Sequence, residues 1–208
     1  MIITLMLLAI LAAVTGMLVR EGLWRALLMF FNVLMAASVA TAWFAPLANL
    51  LKGYLANYDY LFDFLSIWLI FCAVLAILRE VTDRLAPTKV EFPLLVERIG
   101  VGIAAFMTGW LMVAFTAATL HTAPVPRALV QPTPEARMLL GLAPDRKWLG
   151  WVHGASKMGP FSRRRGAKSA GDEFDLDVVF DLNSDFILRY ADRRKHFEDQ
   201  YVQSMAGK

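Results

Sequence analysis

Long apolar runs are the feature that most constrains what this chain can fold into. A bilayer core of about 30 Å is crossed by roughly 20 apolar helical residues, with 17 to 25 the usual range. Four segments meet that requirement: Ile2 to Val19, Ala26 to Ala45, Leu61 to Leu78 and Ile99 to Leu120. Lipid offers no partner for backbone N–H and C=O groups, so each spanning segment has to be helical. The sequence therefore predicts an all-α membrane protein with a bundle of four transmembrane helices.

Composition supports a membrane class over a soluble one. Hydrophobic residues make up 58% of the 208 positions, above the roughly 45–50% of a soluble domain. Buried helices of a soluble protein are the alternative, but their apolar runs are typically about 10 to 14 residues long. The first run has a second alternative, a cleaved signal peptide, which would require a basic start and a small-residue cleavage site. The chain instead begins MIIT, without a charged side chain.

The chain is predicted to divide into three parts. Residues 1–120 hold the four spans and form the transmembrane domain. Residues 121–145 form a proline-rich linker, because the four prolines between Pro124 and Pro134 disfavour helix. Residues 146–208 form an extramembrane tail that is partly helical. This tail has too few apolar residues to predict a hydrophobic core of its own, so we expect it to pack against the membrane or against a partner.

Short helices are predicted near the start of the tail and a longer one near its end. The short helices cover Pro134 to Leu140 and Arg146 to Met158, and the longer one covers Asp185 to Met205. Asp185 is expected to cap the last helix, whose aromatic residues recur at helical spacing: Phe186, Tyr190, Phe197 and Tyr201. The segment SRRRGAKSAGDEFDLD indicates a charged loop, in which Arg163 to Arg165 are either solvated or bind anionic lipid.

Basic residues in the short connections predict the orientation in the membrane. The second connection holds only Lys52, whereas the first and third together hold six basic residues: Arg20, Arg25, Arg79, Arg84, Lys89 and Arg98. Such residues stay in the cytoplasm, so both termini are predicted to face outside, which in a bacterium is the periplasm. The fourteen basic residues of positions 121–208 oppose this only weakly, because long segments cross largely regardless of charge.

Small residues recur at helical spacing in the spans. Because lipid supplies little hydrophobic force between helices, close backbone approach through such residues drives their association. On this basis helix packing is assigned to Ala12, Gly16, Asn32, Ala36, Ala40, Gly102, Ala105 and Gly109. Asn32 is the polar member, and we expect it to make an interhelical hydrogen bond. The alternative is that the glycines give hinge freedom or line a pathway.

Charged side chains near the spans are the candidates for function, because charge inside a membrane is costly. Asp63 lies about one turn inside the third span. It either caps that helix at the membrane interface or serves as an ion or proton site. The other candidates lie in the connections: Arg20, Glu21, Arg25, Glu97 and Arg98. Glu97 is also typical of a first helical turn, and Arg98 of a side chain that reaches towards lipid headgroups.

Two tryptophans of the tail are candidates for the membrane interface. Trp148 and Trp151 lie three residues apart beside Arg146 and Lys147, a combination typical of the interfacial aromatic belt. Burial in a small core of the tail is an equal alternative.

No motif for chemistry is found in the sequence. Cys72 is the only cysteine, and the three histidines are widely separated without the HExxH spacing of a zinc site. Phosphate-binding, dinucleotide-binding and nucleophile-elbow motifs are also missing. The sequence therefore predicts no catalytic residue, cofactor or metal site, and neither an enzyme nor a nucleic-acid-binding protein.

Residues 1 to about 120 resemble the CvpA family, the colicin V production proteins of bacterial inner membranes. The resemblance lies in the order and length of the spans, in the first connection VREGLWRALLMF, and in the acid-Arg entry to a glycine-bearing fourth span. The Arg and Gly cluster of the family's first connection is matched by Arg20, Glu21, Gly22 and Arg25, in a different order. Glu97 and Arg98 match the Asp-Arg entry. Ala105 replaces one of two glycines four apart, and Thr108 replaces an Arg before the last one.

The resemblance implies a multi-pass inner-membrane protein that supports colicin V or toxin production or export and, more broadly, envelope homeostasis. It implies no catalytic residue. The expected partners are the lipid bilayer, a membrane or envelope protein, and a second copy of the chain. A different class, a small oligomeric transporter or channel, is the alternative, and it depends on Asp63 and Asn32.

Overall fold

The computed structural model describes residues 2–54, 59–86, 90, 92–125, 130, 133, 135–158, 180–181 and 184–206. All regular structure within these ranges is helical. The helices are α1 (Ile2–Leu18), α2 (Leu23–Tyr54), α3 (Asp59–Leu85), α4 (Leu94–Thr119), α5 (Pro144–Met158) and α6 (Phe186–Ala206). The predicted all-α class is therefore confirmed. Arg163 to Arg165 and the charged loop around them lie outside the described residues.

Three of the helices, α2, α3 and α4, are long and apolar enough to cross a membrane, and α1 is a shorter apolar helix of 17 residues. Each lies over one of the four predicted apolar runs. Large apolar side chains remain exposed along these helices, as expected for surfaces that meet lipid: Ile2, Leu5, Met17, Phe31, Leu65, Leu69, Ile77, Ile99, Ile103 and Phe106.

Helix α2 continues beyond the point at which the sequence predicted its end. The prediction placed that end at Ala45, before Pro46, yet the helix contains Pro46 and runs to Tyr54. Proline is tolerated inside membrane helices where the surroundings compensate for the lost backbone hydrogen bond. Phe44 and Ala48, on either side of the proline, are both buried, so packing on one face holds the helix together across it.

The core lies between α2, α3 and α4 and extends into the C-terminal helices. Ala36, Ala37 and Ala40 of α2 are fully buried, which lets the neighbouring helices approach closely. Aromatic rings fill the space beside them, with Phe71 and Phe115 centroids 4.7 Å apart and Phe115 and Trp148 in an edge-to-face contact at 5.8 Å. Because Trp148 belongs to α5, the tail packs into the core of the bundle instead of forming a separate one.

In the predicted linker between α4 and α5, several described residues are buried: His121, Thr122, Ala123 and Val130. The short helix predicted at Pro134 to Leu140 is wrong for the residues that the structure describes there, because positions 138–142 form turns. Apolar side chains of this segment pack against α1 and α4, among them Val130, Met138 and Leu139.

The start of α6 is capped by a different residue from the one predicted. Asp181 Oδ1 accepts hydrogen bonds from the backbone N–H groups of Asp185 and Phe186, at 2.9 and 3.0 Å. Asp185 instead accepts from Arg189 Nη2 at 2.6 Å, one turn along the helix. Burial raises the pKa of Asp181 above its usual value. Phe186 and Tyr190, two of the aromatic residues at helical spacing, are buried, while the side chains of Phe197 and Tyr201 lie outside the described residues.

Candidate functional site

The Asp63 cluster, formed by Asp63, Lys52, Tyr190 and Arg193, joins the first turns of α3 to the end of α2 and to α6. Lys52 Nζ lies 2.9 Å from Asp63 Oδ1. Arg193 Nη1 and the Tyr190 hydroxyl donate to Asp63 Oδ2 at 2.5 and 3.1 Å. Both carboxylate oxygens are therefore engaged, one by α2 and the other by α6.

Burial makes this cluster energetically important. The Asp63 side chain is only 7% exposed, while those of Lys52 and Arg193 are 25% and 26% exposed. A buried carboxylate needs paired charge and hydrogen bonds to offset its lost hydration. Burial of the Tyr190 hydroxyl, together with the nearby negative charge of Asp63, raises the pKa of Tyr190 above its usual value. The hydroxyl therefore stays protonated and remains a hydrogen-bond donor.

Helix α5 makes a second connection between the tail and the bundle, through its tryptophans. Trp148 Nε1 donates to Thr41 Oγ1 at 3.1 Å, and Trp151 Nε1 donates to Ser38 Oγ at 3.3 Å. Trp148 is 3% exposed and Trp151 is 49% exposed. Trp148 therefore packs in the core instead of facing the membrane interface, while Trp151 presents about half of its surface outwards.

A buried polar pair lies where α4 is followed by the segment that leads to α5. His121 Nε2 and Asp145 Oδ2 are 3.0 Å apart, and both side chains are completely buried. The pair fixes the start of α5 to the end of α4, with 24 residues between the two partners in sequence. His121 Nδ1 and Asp145 Oδ1 have no hydrogen-bond partner within the described residues.

At the opposite end of the bundle, the first connection meets the start of α4. Glu97 Oε1 accepts a hydrogen bond from the Leu23 backbone N–H at 2.8 Å, so a side chain of α4 caps the first turn of α2. Gly22 stands next to this cap with φ +93°, and a Cβ there would lie 3.0 Å from Glu97 Oε1. Both observations explain a glycine at this position.

The other charged candidates lie on the surface. Arg20, Glu21, Arg25 and Arg98 are exposed, and Arg25 Nη1 is 3.8 Å from Glu21 Oε2. Exposed pairs of this kind contribute about 0–1 kcal/mol. The structure therefore separates Glu97, which links two helices, from its charged neighbours.

Five of the residues assigned to helix packing lie in contacts between helices. Ala36, Ala40 and Ala105 are fully buried, and Asn32 donates a hydrogen bond from Nδ2 to Thr82 Oγ1 at 3.0 Å, the interhelical contact that was expected. Gly109 lies against α1, where a Cβ would meet Thr15 Oγ1 at 2.7 Å and the Leu11 carbonyl oxygen at 3.1 Å.

The remaining three packing assignments differ from the structure. Ala12 and Gly16 lie on the exposed side of α1, and a Cβ at Gly16 or at Gly102 would meet no atom within 4 Å. Helix α1 instead contacts α4 through larger side chains, among them Leu7 and Leu11. The contact of α1 with α4 is therefore made by these larger side chains and not by the small residues Ala12 and Gly16.

Sequence reasoning found Asp63 and Glu97 but not their partners. Lys52, Tyr190 and Arg193 were not singled out, nor were Thr41 and His121. The available signals were weak: Tyr190 lay on the predicted aromatic face of α6, and His121 marked the end of an apolar run. Thr41, Tyr190 and Arg193 pair with residues more than 100 positions away, which leaves no local spacing to recognise.

The Asp63 cluster and the other polar contacts described above hold distant parts of the chain together. Within the described residues, no group of three His, Cys, Asp or Glu side chains could hold a metal ion. No protein-family model matches the chain, and neither a curated protein nor a solved structure is found to be similar to it.

Proposed function

We propose that α1 to α4 all cross the membrane and that α6 lies outside it, at the end of the bundle where α4 ends, while α5 packs against α2 and α4. Helix α1 has 17 residues and is therefore about 26 Å long, near the lower end of what a bilayer requires. It packs along α4, which is long enough to span. Helix α2, with 32 residues, is about 48 Å long, so it extends past a bilayer core of about 30 Å.

The proposed orientation places both termini outside the cytoplasm, in the periplasm of a bacterium with the protein in its inner membrane. Leu7, near the start of α1, shares a buried cluster with Met138 and Leu139, which follow α4. The start of α1 and the segment that leads into the tail are therefore at the same end of the bundle. Exposed Arg20, Arg25 and Arg84 lie at the other end, which the positive-inside rule assigns to the cytoplasm.

The function that we propose is non-enzymatic. The protein supports colicin V or toxin production or export, and envelope homeostasis, by contacts with a membrane or envelope partner or with a second copy. The observation that carries this proposal is the attachment of the tail to the bundle through the Asp63 cluster and α5. This attachment holds the spans and the tail together, so that both can contribute to one surface for a partner. The contact between Glu97 and Leu23 adds support, because it joins the two segments on which the CvpA resemblance depends.

The alternative of a transporter or channel receives less support from the geometry. An ion at Asp63 would have to displace Lys52 or Arg193, since both carboxylate oxygens are engaged. Ion flux through proteoliposomes that is lost in Asp63→Asn would favour this alternative over the contact role.

Complementation tests the proposal in cells. In a colicin V-producing bacterium whose own CvpA-family gene is deleted, we expect the wild-type chain to restore secreted colicin V. Asp63→Asn should restore much less, because it weakens the attachment of the tail. Asp185→Asn changes an exposed acid of the tail and should behave like wild type. Failure of the wild-type chain, at membrane levels verified by immunoblot, would contradict the proposed role in colicin V production.

A further inference from the structure

A cavity of about 510 Å³ lies between α5, α6 and the segment that precedes α5. Pockets that bind small molecules typically have volumes of roughly 300–1,000 Å³. Part of the lining is apolar and is contributed by Leu149 of α5 and by Ile187 and Leu188 of α6. The cavity therefore has the size and the apolar surface that a small organic ligand requires.

The walls of the cavity are held in place by contacts between α5 and the start of α6. Phe180 uses both of its backbone groups for this. Its N–H donates to Ser156 Oγ at 3.1 Å, and its carbonyl oxygen accepts from His153 Nδ1 at 2.8 Å. The rings of Phe180 and Phe186 have centroids 5.7 Å apart, and Phe186 is buried in the core. The separation of the two helices is therefore fixed by the fold, as in the largely preformed pockets that bind small molecules.

Four charged side chains line the cavity, two of them basic and two acidic: Arg137, Arg146, Glu135 and Asp181. The two acids differ in what they can offer to a ligand. Asp181 accepts two backbone hydrogen bonds from the first turn of α6, and the helix dipole there offsets part of its negative charge. Glu135 is exposed, as are both arginines. Two guanidinium groups are therefore opposed mainly by one carboxylate, which leaves an excess of positive charge for a ligand.

The charge and shape of the lining favour a carboxylate among the possible ligands. Guanidinium groups bind a carboxylate through two parallel hydrogen bonds. A ligand with an ammonium group would be repelled by Arg137 and Arg146. A doubly charged phosphate would carry a second negative charge close to Glu135 and would leave the apolar part of the cavity without a partner. A single carboxylate attached to an apolar group satisfies both parts of the lining.

We propose that the cavity between α5 and α6 binds a small organic carboxylate, with the carboxylate group at Arg137 and the apolar part against Leu149 and Ile187. This site goes beyond the proposed contact role and does not depend on it, because the cavity is formed within the chain without any partner. Since the ligand contacts both α5 and α6, its binding also stabilises their association.

Gly150 offers a way to fill the cavity without disturbing the fold. A Cβ at Gly150 or at Gly154, one turn further along α5, would meet no atom of the described residues within 4 Å. Gly150 lines the cavity, whereas Gly154 does not. Gly150→Phe should therefore occupy the space that the ligand needs, and Gly154→Phe is the matched control.

Equilibrium dialysis with radiolabelled hexanoate tests the proposal on the full-length protein in nanodiscs, and empty nanodiscs correct for uptake by lipid. We expect the wild-type chain to bind hexanoate saturably, with displacement by unlabelled hexanoate but not by hexylamine or hexanol. Gly150→Phe should weaken binding about tenfold or more, because the apolar part of the ligand loses its space. Arg137→Gln should have a similar effect through the loss of a charged hydrogen bond. Gly154→Phe should bind like the wild type.

Three results would overturn the proposal. Lack of saturable hexanoate binding by the wild-type chain would overturn the site as a whole. Equal binding by Gly150→Phe and Gly154→Phe would show that hexanoate does not occupy this cavity. Displacement by inorganic phosphate or by hexanol as effective as that by hexanoate would contradict the recognition of a carboxylate. Circular dichroism of each variant verifies that its helices are retained, and Arg137→Gln, which changes an exposed side chain, tests the site without altering the packing.

Discussion

Asp63→Asn is expected to release α6 from the bundle and to lower the free energy of unfolding by about 3 kcal/mol. The substitution keeps the size of the side chain but removes its charge. Lys52 and Arg193 would then retain their positive charges in a partly buried site without a carboxylate between them. Breaking a buried pair by removing one partner is costly because the other charge remains desolvated.

Two measurements on detergent-solubilised protein check this expectation. Denaturant unfolding gives the loss of stability, and limited proteolysis reports whether α6 has become accessible. Asp185→Asn is the matched control, because Asp185 lies on the same helix in an exposed pair with Arg189, with side chains 39% and 65% exposed. That change should cost less than about 0.5 kcal/mol. Equal behaviour of the two variants would show that the Asp63 cluster does not hold the tail.

Gly109→Ala is expected to destabilise the contact between α1 and α4 by about 1–3 kcal/mol. The added Cβ would lie 2.7 Å from Thr15 Oγ1, 3.0 Å from a Leu11 methyl group and 3.1 Å from the Leu11 carbonyl oxygen. The side chains can rotate, but the carbonyl belongs to the backbone of α1. The two helices therefore have to move apart to admit one methyl group.

Gly102→Ala provides a control on the same helix. A Cβ at Gly102 meets nothing within 4 Å, so that variant should be neutral or more stable by about 0.5–1 kcal/mol, because alanine is the better helix former. Thermal unfolding in detergent, followed by circular dichroism, compares the two. A Gly109→Ala midpoint equal to that of Gly102→Ala would contradict the close packing of α1 on α4.

The helices were predictable from the sequence because an apolar run of spanning length has few alternatives to helix. Their ends were less predictable. Pro46 marked the end of the second run by local preference, but the burial of Phe44 and Ala48 on one face carries α2 onwards to Tyr54. Sequence preferences near Pro46 predict that a proline destabilises a helix, but they do not predict the tertiary packing that offsets this effect.

The candidate site was predictable only in part, because its members come from distant parts of the chain. Asp63 stood out as a charge near an apolar run, yet Tyr190 lies 127 residues away from it and Arg193 lies 130 residues away. The small-residue strip of α1 shows the same limit. Ala12 and Gly16 have a spacing that fits helix packing, but the side of α1 that meets α4 is set by the shapes of both surfaces.

The central claim is that the bundle spans the membrane with the tail fixed to its non-cytoplasmic end, and the location of the C-terminus tests it most directly. Two reporters are fused in turn after Lys208, one active only outside the cytoplasm and one fluorescent only inside, and both are measured in the same bacterial strain. We predict outside activity without cytoplasmic fluorescence. Cytoplasmic fluorescence without outside activity would contradict the proposed orientation or the number of spans.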